Sequence, residues 1–429
     1  MNGFEQTLWS ELEATPVVDP HTHLTPEAPQ AATLADIVLY HHVWIELVSA
    51  GMPATAATQA GLPHELADPG MPALDRIRAI LPYLPAIRST TCGNMLRVLL
   101  EDLYGVPGGQ LTPANVEHLC AEAERKAQDP AWPSHVLRER CHIETSLTVH
   151  RPRGPARPGI EYGLEQSPIL ATGKRTPAQT LDDMEAAMGQ ELLTADDLDR
   201  ALHALAKEHS RPPVRYLGLW LPGYFAWEHV AEARVSDVMA RAREGRELAP
   251  PDLNAFTCFA VRSLLSGMLE GTVRTVQVIV GADVLPPHRS LTEWAPPFVG
   301  GLGRLAGEFE AVQFNCSTAS DIYTQDLGVL AKHVPNVSVA GYWWHTLYPR
   351  YLRKSVETRL DMVPANKIVG FFSDAYHAEW CYPKLKLVKQ IWGEVLLDRV
   401  DRGLLTADAA LSLIRPVFCE NARRIYGLA

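Results

Sequence analysis

Apolar residues along this chain fall into short, nearly unbroken runs, separated by longer stretches in which they recur every three or four positions. The runs are PVVDPHTH (16–23), HIETSLTV (142–149), SPILAT (167–172), VRYLGLWLP (214–222), TVQVIVGA (275–282), AVQFNCS (311–317), NVSVAGYWW (336–344) and KIVGFFSDAY (367–376). Continuous apolar character is what parallel strands buried on both faces require. Strands that alternate with helical segments make βα units, and eight such units predict a (β/α)8 TIM barrel. One spacing is out of line. More than a hundred residues separate the first two runs, and they read as helices: LADIVLYHHVWIELVSAG, CGNMLRVLLEDLYG and NVEHLCAEAERKA. Gly51 and Gly105 stand where glycines stop helices. The expectation is a barrel made of residues 1–29 and 136–429. A helical insertion, 30–135, leaves strand one at its C-terminal end, the mouth where barrel enzymes keep their active sites. A lid over that mouth is the simplest role for it. The chain ends in helices, KLKLVKQIWGEVLLDRVDRG and TADAALSLIRPVFCENARRIYGL.

Candidate chemistry gathers at the predicted mouth. Pro16 and Pro20 confine the first strand, and His21 and His23, two positions apart, face the same side of it. Two neutral imidazoles converging there can hold one divalent metal, although an isolated HxH is more often a pair of turn residues. Strand eight brings Asp374 and, just beyond it, Tyr376 and His377. A lone Asp after a strand is often the N-cap of the next helix. In a closed barrel, however, strands one and eight are neighbours, which makes Asp374 a candidate ligand and general base. Strand seven ends in Trp343, Trp344 and His345, and Trp220 and Tyr224 add to an aromatic mouth. In the insertion, Ile37, His41, Trp44 and Val48 share one helix face, which turns His41 toward the pocket and His42 elsewhere. The loop HRPRGPARPG (150–159) holds Arg151, Arg153 and Arg157, a place for an anionic substrate or simply a solvated loop.

Composition narrows the class. The chain has 429 residues, 47% hydrophobic and 21% charged, with a net charge of −11. That balance suits a soluble protein with a large core and argues against a nucleic-acid surface. No apolar run approaches the roughly 18 residues of a membrane helix. The start, MNGFEQTLWSELEA, reads as an acidic helix rather than a signal peptide. Seven cysteines without a CxxC pair suggest reduced, buried thiols in a cytoplasmic protein. The expected partner is a small molecule, with neither nucleic acid nor membrane, and a homo-oligomer is left open.

These residues resemble the amidohydrolase superfamily, and within it the uronate (glucuronate) isomerases. The stretches that carry the resemblance are VVDPHTHL, WIELVSAGMP, LPAIRSTTCGNMLRVLLEDLYG, VAGYWWHTLYP, VGFFSDAYHAEWCYPK and the terminal NARRIYGL. The resemblance implies a barrel with a helical insertion after strand one. It implies one divalent metal (Zn, Mn or Fe) on His21, His23 and Asp374, with Asp374 also moving the proton. It places Trp343 or Trp344 beside the site, and it puts the family's lid His and Tyr at His41 and His42. The chain departs from the family at four places. Ile279 stands where the strand-five segment carries a metal-site His. Tyr376 stands where an Arg holds the substrate carboxylate. The family's Arg after strand three and acid after strand four have no clear counterpart.

The leading expectation is a uronate-isomerase-like metalloenzyme acting on a small polyhydroxylated acid by proton transfer. Asp374 is its base, and His345 and His377 are its further acid–base candidates. His41, His42, Trp343, Trp344, Tyr376 and Arg151 are its substrate contacts. A mononuclear hydrolase on the same metal is the alternative. Two histidines and a carboxylate also suit non-haem Fe(II), and a protein that only binds is the reading without catalysis. His21→Ala is expected to lower bound metal several-fold by elemental analysis; unchanged stoichiometry refutes its role as a ligand.

Overall fold

Seven strands form one curled, parallel sheet in simple sequence order. They are β1 (Val17–Thr22), β2 (Ile143–Thr148), β3 (Ile160–Glu165), β4 (Val214–Trp220), β5 (Thr275–Val280), β6 (Gln313–Thr318) and β7 (Val337–Val339). The computed structural model describes residues 3–53, 71–154, 158–165, 177–221, 225–280 and 298–428. All six residues of β1 and of β5 are buried, as expected for strands covered on both faces. Helices follow most strands, and among the described residues none is long and apolar enough to cross a membrane. All seven cysteines are buried and free.

The third strand is not where apolar character placed it. It is Ile160–Glu165, and the segment 167–172 lies outside the described residues. IEYGLE alternates rather than running apolar. Ile160 and Tyr162 are buried, while Glu161 pairs with Arg215 of β4. Gly163 is required because a Cβ there would sit 2.0 Å from the Tyr216 ring.

The expected single helix over LADIVLYHHVWIELVSAG is two helices, Leu34–Val38 and His41–Ser49. Thr33 and Asp36 form a capping box at the first. The break falls at Tyr40, whose extended backbone caps the second helix. Tertiary contacts hold it there. The Tyr40 ring stacks on Trp380 at 4.4 Å, and its hydroxyl donates to the Asp374 carbonyl at 2.9 Å. Ile37 therefore does not share a helix face with His41.

The eighth apolar run makes a single bridge, Val339 to Ile368, rather than a strand. Its backbone groups go elsewhere. Val369 N–H donates to Val339 O on the β7 side, and Gly370 N–H donates to Val417 O. On the β1 side, Ser373 N–H donates to Asp19 Oδ1, Asp374 N–H donates to His21 O, and His23 N–H donates to Ala375 O. The segment thus touches both β7 and β1. A ladder cannot form along it because Asp374 adopts a left-handed φ of 51° and Gly370 is diverted toward the C-terminal segment.

The helix Ala378–Asp401 anchors the chain just after β1. Ala378 N–H donates to Pro29 O, and Trp380 Nε1 donates to Ile37 O. The buried Glu379 carboxylate accepts from Ala31 N–H at 3.1 Å and Trp132 Nε1 at 2.8 Å. Burial pushes its carboxyl up. Gly370→Ala would place a Cβ 2.3 Å from Val417 Cγ1. It is expected to destabilise the fold by ~1–3 kcal/mol in urea unfolding; a loss below measurement would show that the contact yields freely.

Candidate metal centre

His21, buried, lies at the end of β1, and His23, half-buried, follows just beyond it. Their Nε2 atoms stand 3.4 and 3.3 Å from one atom, Asp374 Oδ1. The rings meet edge to face, 5.3 Å apart. Asp374 reaches this place because its backbone is left-handed, a conformation Asp tolerates better than most residues. Two groups brace it. Tyr40 Oη–H and Lys384 Nζ both reach the Asp374 carbonyl, and Lys384 also donates to the Ser373 carbonyl at 2.6 Å and to the Tyr40 hydroxyl at 2.8 Å. Lys384 is fully buried, and burial pushes its ammonium down although the Asp374 charge opposes this. Burial alone would raise the Asp374 carboxyl, but hydrogen bonds from His21 and His23 prevail and hold it well below the usual carboxylate range. Trp343 Nε1 donates to the other oxygen, Oδ2, at 3.0 Å.

The spacing fits a cation. A tetrahedral ion with ligands at about 2.0–2.1 Å holds those ligands about 3.3–3.4 Å apart, close to both His–Asp separations. His21, His23 and Asp374 each offer one ligand atom, all within 4.8 Å of one another. His41, His42 and Asp374 form a second such set. His42 therefore does not point elsewhere: both histidines at the start of the helix His41–Ser49 turn toward Asp374, with ring centroids 4.1 Å apart. The break at Tyr40 is the reason, because it sets the first turn of that helix against Asp374.

Tyr376 stacks on His23 at 4.4 Å and stands edge-on to His41 at 5.2 Å. An aromatic cover lies where the family resemblance implies an Arg. Ile279, where it implies a strand-five His, joins Ala319, Ala340, Trp343 and Phe372 in a small apolar cluster, with Trp220 packed against it. The β5 side of the mouth is therefore a hydrophobic wall. His345 and His377 join neither ligand set among the described residues. His345 is half-buried beside Tyr348, and burial pushes its imidazole down. His377 is the N-cap residue of the helix Ala378–Asp401. Arg151 is exposed, and its charge acts on Tyr162 and His209. The side chain of Trp344, and Tyr224 and Arg157 entirely, lie outside the described residues.

Sequence reasoning missed Tyr40, Lys384 and Gln277, which hold the candidate ligands. Lys384 left a signal: it lies on the stripe of Trp380, Cys381, Val388 and Ile391, where a cation has no business on a helix face that is otherwise buried and apolar. Gln277 left another, as the lone polar side chain within TVQVIV after its opening Thr.

No family model matches the chain, and no curated protein matches it in sequence. Solved structures do match. A uronate isomerase from Thermotoga maritima superposes with a TM-score of 0.80 at 16% identity, covering 99% of this chain and 98% of that one. A glucuronate isomerase from Caulobacter crescentus gives 0.78 at 16% identity, covering 99% and 94%. The chain has the uronate isomerase fold. A proposed metal-dependent hydrolase from Lactobacillus casei matches at 0.62 and 12% identity, over 98% and 97% of the two chains.

Asp19 is buried beneath the site. Burial pushes its carboxyl up to about 6, against the Ser373 bonds and the His21 charge. The folded state therefore favours the protonated form. Its contribution is full below the unfolded value near 4 and is lost as pH rises toward 6. In the metal-free protein, Asp19→Asn, neutral throughout, is expected to gain roughly 3 kcal/mol relative to wild type between pH 4 and 6. Urea midpoints across that range check this, and a constant difference refutes it.

Proposed function

We propose that this protein is a divalent-metal-dependent enzyme that moves a proton on a small polyhydroxylated acid, interconverting aldose and ketose forms. The observation that carries this reading is the convergence of His21, His23 and Asp374 at metal-ligand spacing, within a chain that shares the uronate isomerase fold end to end. In this reading the sheet is a (β/α)8 barrel whose eighth place is taken by residues 368–375, and residues 30–135 are its lid. His21, His23 and Asp374 hold the metal, which when bound would polarise substrate oxygens. Zn, Mn and Fe all suit that donor set.

The chain's own groups then do the rest. Asp374 is a buried carboxylate at this place, positioned to accept a proton from carbon. Trp343 Nε1 pins Oδ2 and fixes the direction in which the carboxylate faces. His41 and His42 approach Asp374 from the helix that follows β1, placed to hold substrate hydroxyls or to pass a proton on. Tyr376, stacked on His23, and the wall of Trp220, Ile279 and Trp343 exclude water from that side. A guanidinium clamp two residues after Asp374 is replaced by the Tyr376 ring. The acid recognised is therefore expected to be held by histidines and hydroxyl contacts rather than by that clamp, and to differ from a simple uronate in how its carboxylate is presented.

A second reading, hydrolysis on the same metal, rests on the same ligand set and on the likeness to the Lactobacillus casei protein. Solvent exchange separates the two. In D2O an isomerase acting through Asp374 puts deuterium on the carbon beside the carbonyl of a sugar acid, while a hydrolase releases acid from esters or amides without such exchange. Asp374→Asn is expected to cut turnover at least tenfold with the fold intact by circular dichroism; a variant that keeps more than a tenth of wild-type turnover refutes its role as the base.

A further inference from the structure

Deep inside the curl of the sheet, where bulky aliphatic side chains usually fill the layers, lies a polar rung. Gln277 of β5 pairs with Asn315 of β6, and Asn315 pairs with Ser338 of β7, so the three stand at one level on adjacent strands. All three are nearly inaccessible, at 5%, 1% and 5% exposure. Tyr426, from the last helix (Asn421–Tyr426), enters the same layer. Burying four polar side chains is costly unless each is satisfied, and these are. Tyr426 Oη–H donates to Asn315 Oδ1 at 2.7 Å, Asn315 Nδ2 to Ser338 Oγ at 2.7 Å, and Ser338 Oγ to Phe314 O at 3.2 Å.

The rung ends on a candidate metal ligand. Gln277 Nε2 donates to Tyr426 Oη at 2.8 Å and to the Pro20 carbonyl, and Gln277 Oε1 faces His21 Nδ1 at 2.9 Å. The direction of each bond follows from the Pro20 carbonyl. A carbonyl only accepts, so the amide NH2 must face it and Oε1 must face His21. Oε1 also only accepts, so His21 Nδ1 carries the proton. In the neutral ring Nε2 is then the lone-pair nitrogen, 3.4 Å from Asp374 Oδ1. With the ring neutral, that lone pair and the carboxylate leave a place for a cation between them, a proton in the metal-free protein or a metal.

We propose that Gln277 is the positioning residue of this site. It fixes His21 in the Nδ1–H tautomer that presents Nε2 to a metal, and Tyr426 fixes Gln277. The inference rests on the metal reading above for its affinity arm only, because the tautomer is a property of the metal-free protein. Partners of this kind orient metal-bound histidines, and their loss costs about 10–100-fold in affinity.

The experiment uses the full chain, metal-free, with 15N-labelled histidine. Long-range 15N–1H correlations report which ring nitrogen of His21 holds the proton, and chelator competition gives the zinc Kd. Wild type is expected to show Nδ1–H in the neutral ring. Gln277→Leu is expected to shift the proton toward Nε2, where Asp374 can accept it, and to raise the zinc Kd about 10–100-fold with circular dichroism unchanged. Tyr426→Phe, a milder change, is expected to raise the Kd by less and to leave a mixture of tautomers. A folded Gln277→Leu protein with wild-type tautomer or wild-type Kd overturns the role of Gln277. If that variant does not fold, a wild-type tautomer and Kd in Tyr426→Phe overturns the proposal. A wild-type protein that shows Nδ1–H yet binds no zinc upholds the tautomer assignment and overturns the metal reading.

Discussion

The backbone of Asp374 is the constraint on which the site depends. A left-handed φ at a non-glycine residue costs free energy and persists only where its surroundings hold it. Here they do so from three directions. β1 takes its N–H through His21, Tyr40 Oη–H and the buried Lys384 take its carbonyl, and Trp343 takes one carboxylate oxygen. The result is placement: Oδ1 lies between the two β1 imidazoles, in a pocket from which most water is excluded. A carboxylate so buried would ordinarily be protonated, and the histidine contacts keep it charged.

The same contacts couple elements far apart in sequence. Tyr40 breaks the helix after β1 and bonds to Asp374, so the helix that presents His41 and His42 is referenced to the segment that presents the carboxylate. Trp380 and Glu379 fasten the start of the helix Ala378–Asp401 to the chain just after β1. Gln277 and Tyr426 fasten His21 from below. The candidate ligands are therefore set by four regions of the chain, and His21 and Asp374 are braced by Gln277, Tyr40 and Lys384, which are not among the candidate substrate contacts. That is the arrangement a precise metal site needs.

Two departures from the uronate isomerase pattern lie at different parts of the mouth. Ile279 and Tyr376 replace polar residues with apolar or aromatic ones, and both are packed: Ile279 in the wall with Trp343 and Trp220, Tyr376 against His23. These are not gaps left by lost residues. They are filled surfaces.

Much of this was legible in the sequence, for physical reasons. Buried parallel strands must be apolar throughout, so six of the seven strands announced themselves; β3 did not, because one of its faces carries Glu161 and its periodicity resembles that of a surface element. Two histidines two positions apart on a strand must share a face, so the pairing of His21 and His23 was legible from local geometry, and the neighbourhood of strands one and eight in a closed barrel pointed to Asp374 before the resemblance did. Tertiary structure decided the features that depend on direction and on distant partners. The break at Tyr40 exists because Trp380 and Asp374 lie beside it, and it turns His42 inward, against helical periodicity. The eighth apolar run bonds both β7 and β1 without forming a ladder, because Gly370 and Asp374 are diverted by Val417 and by the site. Lys384 and Gln277 take their roles from carbonyls and a ring nitrogen supplied by elements up to 257 positions away. Local pattern fixes which faces are buried; only the folded chain fixes which buried polar atoms meet.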